Sequence, residues 1–118
     1  MFDHVGLKVR DTAAAVKFYA AIMATLGQRP IAEDGTGYGF KDGGLWLSED
    51  KAAPGGAHLA FKAANHETVR RFHKAGLAAG GRDNGPPGPR PDYGPNYYAA
   101  FLFDPDGNNV EAVCKKAG

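Results

Sequence analysis

The sequence predicts an α+β fold made of two packed copies of one β-α-β-β-β unit. The first observation is a repeat: the strand pattern DHVGLKV of residues 3–9 returns as AHLAFKA at residues 57–63, with His58 in the place of His4. The second is an apolar helix pattern that follows each copy and ends in glycine. The third is the stretch FLFDPDGNNVEAV at residues 101–113, where a turn of Asp, Pro, Gly and Asn separates two apolar runs, as in a β-hairpin.

The composition is typical of a soluble globular protein. The chain has 118 residues, 43% of them hydrophobic and 23% charged, which allows a core without disulfides or a structural metal. The formal net charge is +1 and no basic run exists, which argues against nucleic acid or an anionic membrane as a partner. The one cysteine, Cys114, is expected to pack in the last strand. No signal-peptide pattern is found, so the expected location is cytoplasmic.

The first unit begins with an alternating strand that places Val5, Leu7 and Val9 on its buried face. Asp11 is expected to cap the helix that follows, and Gly27 to end it. Three short strands are then predicted at about residues 28–33, 38–41 and 45–48, followed by a linker at residues 51–56.

The second unit repeats this order, with Asn65 as the expected cap of a helix over roughly residues 66–79. It differs by a Gly- and Pro-rich stretch at residues 84–95, which we expect to lack regular structure and to serve as a lid or binding edge. Residues 1–118 are interpreted as a single domain, with module one at residues 1–53 and module two at residues 54–118.

The candidate chemistry follows from the alternation of side chains along strands. In the final strand Val110 and Ala112 are expected on the buried face, which puts Glu111 on the other face. A carboxylate in such a strand needs a partner, because an unpaired buried charge is costly. His4 and His58 also project away from the apolar faces of their strands, so a curved sheet would bring all three together. Two imidazoles and a carboxylate suit a divalent metal such as Fe, Ni, Zn or Mn.

The stretches DHVGLKV, HLAF and FLFDPDGNNVEAV resemble the vicinal oxygen chelate superfamily, which includes glyoxalase I, the bleomycin- and fosfomycin-resistance proteins and the extradiol dioxygenases. The resemblance covers essentially the whole chain. It implies two tandem βαβββ modules that form a curved, cup-like mixed sheet with the helices outside. It also implies a divalent metal ion held by His4, His58 and Glu111, acting as a Lewis acid on adjacent substrate oxygens.

Two departures leave the reaction type open. The remaining metal ligand of glyoxalase I is a glutamate near the end of the first module, and Trp46 stands at that position here. Tryptophan cannot bind a metal, which argues against methylglyoxal isomerisation. The extradiol dioxygenases have a tyrosine before the DP turn, where this chain has Phe101.

Other side chains are candidates for substrate contacts. Tyr97 and Tyr98 are adjacent in a strand, so one faces the cup and one the other side, and the sequence leaves open which. Tyr98 is a candidate catalytic residue, since a phenol in the cup could act as an acid or base, and Tyr97 is a candidate for substrate binding. Trp46 is either a core residue or a flat wall for a planar substrate. Arg82 and Arg90 flank the Gly/Pro stretch and could hold a carboxylate or phosphate.

Two functions follow as hypotheses. The first is a glyoxalase-like, metal-dependent enzyme of the lyase, isomerase or dioxygenase type, acting on a small oxygen-rich molecule. The alternative is a metal-free protein that binds or sequesters a small molecule, in the manner of bleomycin-resistance proteins. The resemblance further suggests a homodimer formed through exposed sheet edges.

Overall fold

The computed structural model describes residues 1–30, 36–40 and 43–118. These ranges contain two helices and seven strands, and neither helix is long and apolar enough to cross a membrane. The elements in chain order are β1 (His4–Val9), α1 (Thr12–Thr25), β2 (Gly37–Phe40), β3 (Gly43–Glu49), β4 (His58–Lys62), α2 (His66–Ala78), β5 (Arg82–Pro89), β6 (Tyr98–Phe103) and β7 (Asn109–Cys114).

The described strands form two sheets, one from each half of the chain. Their orders are β1-β3-β2 and β4-β7-β6-β5. In both sheets the first strand of the module pairs in parallel with its last strand, and the other pairs are antiparallel. The predicted α+β fold of two repeated units is thereby confirmed. Half of the predicted strand at residues 28–33, residues 31–33, lies outside the described residues, as does Lys41 of the next predicted strand. Pro30, in the described half, forms an isolated bridge with Tyr38.

Both helices begin at the predicted capping residues. Asp11 accepts a hydrogen bond from the backbone N–H of Ala14 at 3.2 Å, and Asn65 accepts one from that of Thr68 at 2.8 Å. These bonds satisfy backbone donors that the first helical turn leaves unpaired. Gly27 follows α1 with a φ of 78°, a conformation that glycine adopts without the steric penalty of a side chain.

One hydrophobic core contains residues from both modules. Fully buried side chains of α1, such as Phe18 and Ile22, belong to the same cluster as Leu102 of β6. Gly76 of α2 lies where these elements meet, and a Cβ at this position would overlap Leu102 and approach Ile22. The absence of a side chain at Gly76 therefore allows α2 to pack closely against β6 of its own module and α1 of the other.

The DPDG turn between β6 and β7 binds the second module to the first. Asp104 is buried and accepts hydrogen bonds from the backbone N–H groups of Asp106 and Asn108. It also accepts one from the Tyr19 hydroxyl of α1 at 2.6 Å. The pKa of that hydroxyl is raised, mainly because it is buried and secondly because the Asp104 carboxylate lies beside it. Arg10 donates from Nε to Asp106 at 2.9 Å. The turn is therefore a structural element.

The Gly/Pro stretch differs from its prediction, because its first half is strand β5 rather than irregular chain. β5 lies at the edge of its sheet and pairs with β6 through two register shifts. Proline lacks the N–H that a central strand must donate, so an edge strand with bulges is where such a sequence can still pair.

Candidate active site

Glu111 is the buried carboxylate on the face of the second sheet that points away from the core. Its neighbours Val110 and Ala112 belong to the core, so Glu111 projects from the opposite face, as the alternation predicts. Its side chain is only 3% exposed. The partner that this carboxylate requires is His58, whose Nε2 lies 2.7 Å from Oε1. The imidazole is 52% exposed, so solvent or a ligand can reach the pair from the His58 side.

Tyr97 occupies the other oxygen of the carboxylate. Its hydroxyl donates to Oε2 of Glu111 at 2.6 Å. Desolvation by burial, with the hydrogen bond to Glu111 as the next contribution, raises the pKa of Tyr97 to about 12. The phenol therefore keeps its proton at neutral pH and acts as a hydrogen-bond donor to an acceptor of negative charge.

Tyr98 lies on the opposite face of β6. Its ring stacks on His66 of α2 with a centroid distance of 3.9 Å, and its hydroxyl accepts a hydrogen bond from Arg70 at 3.3 Å. Adjacent residues on an extended chain point in opposite directions, so only one of the two tyrosines can reach Glu111. Of the two tyrosines, Tyr97 is the one whose hydroxyl binds Glu111, and Tyr98, the candidate catalytic residue, faces the core side.

The predicted metal ligands are only partly brought together in one chain. His58 and Glu111 supply an imidazole and a carboxyl group within 2.7 Å of each other, ligand types that fit two positions of a divalent metal site. His4 lies on the other sheet, is exposed, and has its Nδ1 2.8 Å from Asp3 Oδ1. Across the described ranges, no group of three or more His, Cys, Asp or Glu residues is placed to hold a metal ion.

Trp46 takes the place in the first sheet that Glu111 takes in the second. The Cα register pairs it with Gly6 of β1 and Gly37 of β2. A Cβ at Gly37 would overlap the indole, which shows that the ring lies across that strand. Trp46 is 40% exposed, so it forms a flat aromatic surface outside the core.

The two predicted arginines stack on aromatic rings. Arg82 lies over Phe103, and Arg90 over Phe101, each with the guanidinium carbon 5.4 Å from the ring centroid. Arg90 also donates to the carbonyl oxygen of Pro86 at 2.6 Å, so this guanidinium fixes the bulged strand β5.

Sequence reasoning missed Lys62 and Lys115, which border a cavity on the face that carries Glu111. Lys62 lies four residues after His58 in the same strand, and side chains at even spacing share a face. This alternation was the available signal for Lys62.

The chain belongs to the Glyoxalase/Bleomycin resistance protein/Dioxygenase superfamily, whose family model it matches over residues 1–112. Its structure is similar to that of a glyoxalase/bleomycin resistance protein from Albidiferax ferrireducens, with 34% identity, a TM-score of 0.83, and coverage of 97% of this chain and 98% of that chain.

Two further crystal structures share the fold at lower identity. One is a glyoxalase-related enzyme from Fulvimarina pelagi, with 22% identity, a TM-score of 0.74, and 97% and 87% coverage of this chain and that one. The other is a lactoylglutathione lyase from Agrobacterium tumefaciens, with 21% identity, a TM-score of 0.70, and 97% and 92% coverage. A search of curated proteins gives no match.

Proposed function

We propose that this protein is a glyoxalase-like enzyme that uses a divalent metal ion and acts on a small oxygen-rich molecule. The observation that supports this most directly is the buried Glu111 beside the half-exposed His58, 2.7 Å apart. Burying a carboxylate costs free energy unless it is paired. One partner of Glu111 is the half-exposed imidazole of His58, and imidazole is a common metal ligand. Superfamily membership supports the same proposal.

His4 of the partner subunit is proposed to complete the site. β1 and β4 are outer strands of the two described sheets, and the outer edge of β1 pairs with no other described strand. Phe2, which precedes β1, is 79% exposed. An unprotected edge next to an exposed aromatic residue favours pairing with another chain. A homodimer that joins β1 of one chain to β4 of the other would bring His4 towards His58 and Glu111.

The residues of this chain have distinct roles in the proposal. When bound, the metal would polarise the substrate oxygens as a Lewis acid. Glu111 would hold the metal and accept a proton from the substrate at Oε1, the oxygen that faces His58. Tyr97 would keep the carboxylate in place by donating to Oε2 throughout.

A metal-free binding protein is the second candidate, and the exposed indole of Trp46 favours it. A flat aromatic surface can stack on a planar or aromatic compound without any metal. Quenching of Trp46 fluorescence by such a compound, in protein stripped with a chelator, would support this function.

Metal content of protein purified without a chelator or a metal-binding tag tests the first proposal. We expect one equivalent of a divalent ion per chain, lost in folded His58→Ala and Glu111→Gln variants. His66→Ala, which removes a histidine on α2, is the matched control and should keep the metal. A wild-type protein that binds none of Fe, Ni, Zn or Mn after incubation would contradict the proposal.

Mixing two variants that each lack one proposed metal ligand tests whether the partner subunit supplies His4 to the site. If His4 and His58 of one site come from different chains, dimers of His4→Ala with His58→Ala contain one intact site. Random exchange would then restore about a quarter of the wild-type sites. No restoration on mixing, together with loss of metal in each variant alone, would place all ligands within one chain.

A further inference from the structure

A cavity of about 500 Å³ opens beside Tyr97 on the face of the second sheet that carries Glu111. Its apolar lining comes from Ala60, Ala63 and Val113. Ala60 pairs in register with Glu111, so the cavity adjoins the buried carboxylate. This volume is in the range of small-molecule pockets.

Three lysines form the charged part of the lining: Lys62, Lys115 and Lys116. In the part of the chain that the structure describes, no carboxylate lies within ion-pair distance of any of these lysines. Nζ of Lys115 lies 5.8 Å from the centroid of the Tyr97 ring, which holds this charge on the cavity side. The chain carries a formal net charge of only +1, so three lysines around one cavity are a local concentration of positive charge.

The arginines near the site are less available to a ligand than these lysines. Arg90 donates to the carbonyl oxygens of Pro86 and Pro89 and stacks on Phe101. Arg82 stacks on Phe103. The lysine ammonium groups are compact point charges with free donors, which suits the oxygens of a carboxylate or phosphate.

We propose that this cavity binds an anionic oxyacid group of the substrate, a carboxylate or a phosphate, through Lys62 and Lys115. The proposal rests on the proposed function, because it makes the substrate an anionic small molecule whose reacting end lies at Glu111. Tyr97 connects the two ends: its ring lines the cavity and its hydroxyl binds Glu111. The charged group would thus anchor the substrate beside the reacting carboxylate.

Calorimetric titration with inorganic phosphate and with malonate tests the site directly. We expect the wild type to bind at least one of them, and Lys62→Gln/Lys115→Gln to weaken that binding by about tenfold or more. The control is Lys17→Gln/Lys74→Gln, which removes the same charge from exposed helical positions and should bind within about twofold of the wild type. Binding of phosphate alone would indicate a phosphate ester, and binding of malonate alone a carboxylate.

Two results would overturn the proposal: absence of binding to both anions, or equal weakening in the control pair. Metal content of each variant is measured in parallel. Loss of anion binding with unchanged metal supports the lysine site. Wild-type protein that binds the anion but no metal would retain this site and contradict the metal-dependent function alone.

Discussion

Tyr97 and His58 bind opposite oxygens of one buried carboxylate, with Tyr97 2.6 Å from Oε2 of Glu111 and His58 2.7 Å from Oε1. The two partners differ in exposure and chemistry. The imidazole of His58 is 52% exposed, whereas burial raises the pKa of the Tyr97 phenol to about 12, so the phenol keeps its proton at neutral pH. The carboxylate is thus anchored on one side and open to chemistry on the other.

Removing the Tyr97 hydroxyl should disturb this anchor. We expect Tyr97→Phe to lower the free energy of unfolding by about 2 kcal/mol, because a buried charged oxygen loses its donor. Urea denaturation measures the change. Tyr93→Phe is the control, since Tyr93 is 66% exposed and packs against the edge of the Tyr97 ring. Equal stability of the two variants would show that the hydrogen bond contributes nothing.

The contribution of Tyr97 to the free energy of unfolding should disappear at alkaline pH. The pKa of Tyr97 is raised from 10.0 to about 12, so the folded state binds this proton more tightly than the unfolded state. Its stabilisation is complete below pH 10 and is lost as the pH rises to about 12. Denaturation curves of wild type and Tyr97→Phe should therefore converge over this range. Tyr19 and Tyr38, whose pKa values are also raised by burial, remain in both proteins and cancel.

The DPDG turn should be sensitive to loss of its buried carboxylate. Asp104→Ala leaves the Tyr19 hydroxyl and two backbone N–H groups without their acceptor, and we expect destabilisation of about 3 kcal/mol or more. Thermal denaturation of this variant and of Asp92→Ala, which changes an exposed aspartate, provides the comparison. Similar melting temperatures would mean that Asp104 does not organise the turn.

Gly76 offers a test of the packing of α2 against β6. Alanine in a helix is favoured over glycine by about 1 kcal/mol, yet we expect Gly76→Ala to destabilise the protein by about 1–3 kcal/mol because its Cβ would overlap Leu102. Combining it with Leu102→Ala should cost less than the sum of the single changes. A Gly76→Ala variant that is more stable than the wild type would contradict this packing.

Strand alternation predicted much of the site, because it assigns each side chain to a face. It placed Glu111 opposite the core and required a partner for it, and the helix caps followed from local hydrogen bonding. It could not choose between His4 and His58, since that choice depends on how the two sheets are arranged in space. Nor could it choose between Tyr97 and Tyr98, because the face that each one takes depends on the pairing of β6 with β7.

The Gly/Pro stretch was predicted wrongly for a different reason. Local propensity disfavours a strand there, but β6 offers an edge to which a bulged strand can pair. The pairing with β6 therefore outweighs the local preference against a strand. Arg90 stabilises β5 in this position by donating a hydrogen bond to the carbonyl oxygen of Pro86.

The parallel pairing of β4 with β7 also has a kinetic consequence. His58 and Glu111 are separated by 53 positions, so their contact forms only after a long loop has closed. Contacts of such high sequence separation slow folding, and β7 is the one strand that pairs with β4 among the strands that the structure describes. The contact between His58 and Glu111 should thus be among the last to form during refolding, at the stage when aggregation competes most strongly.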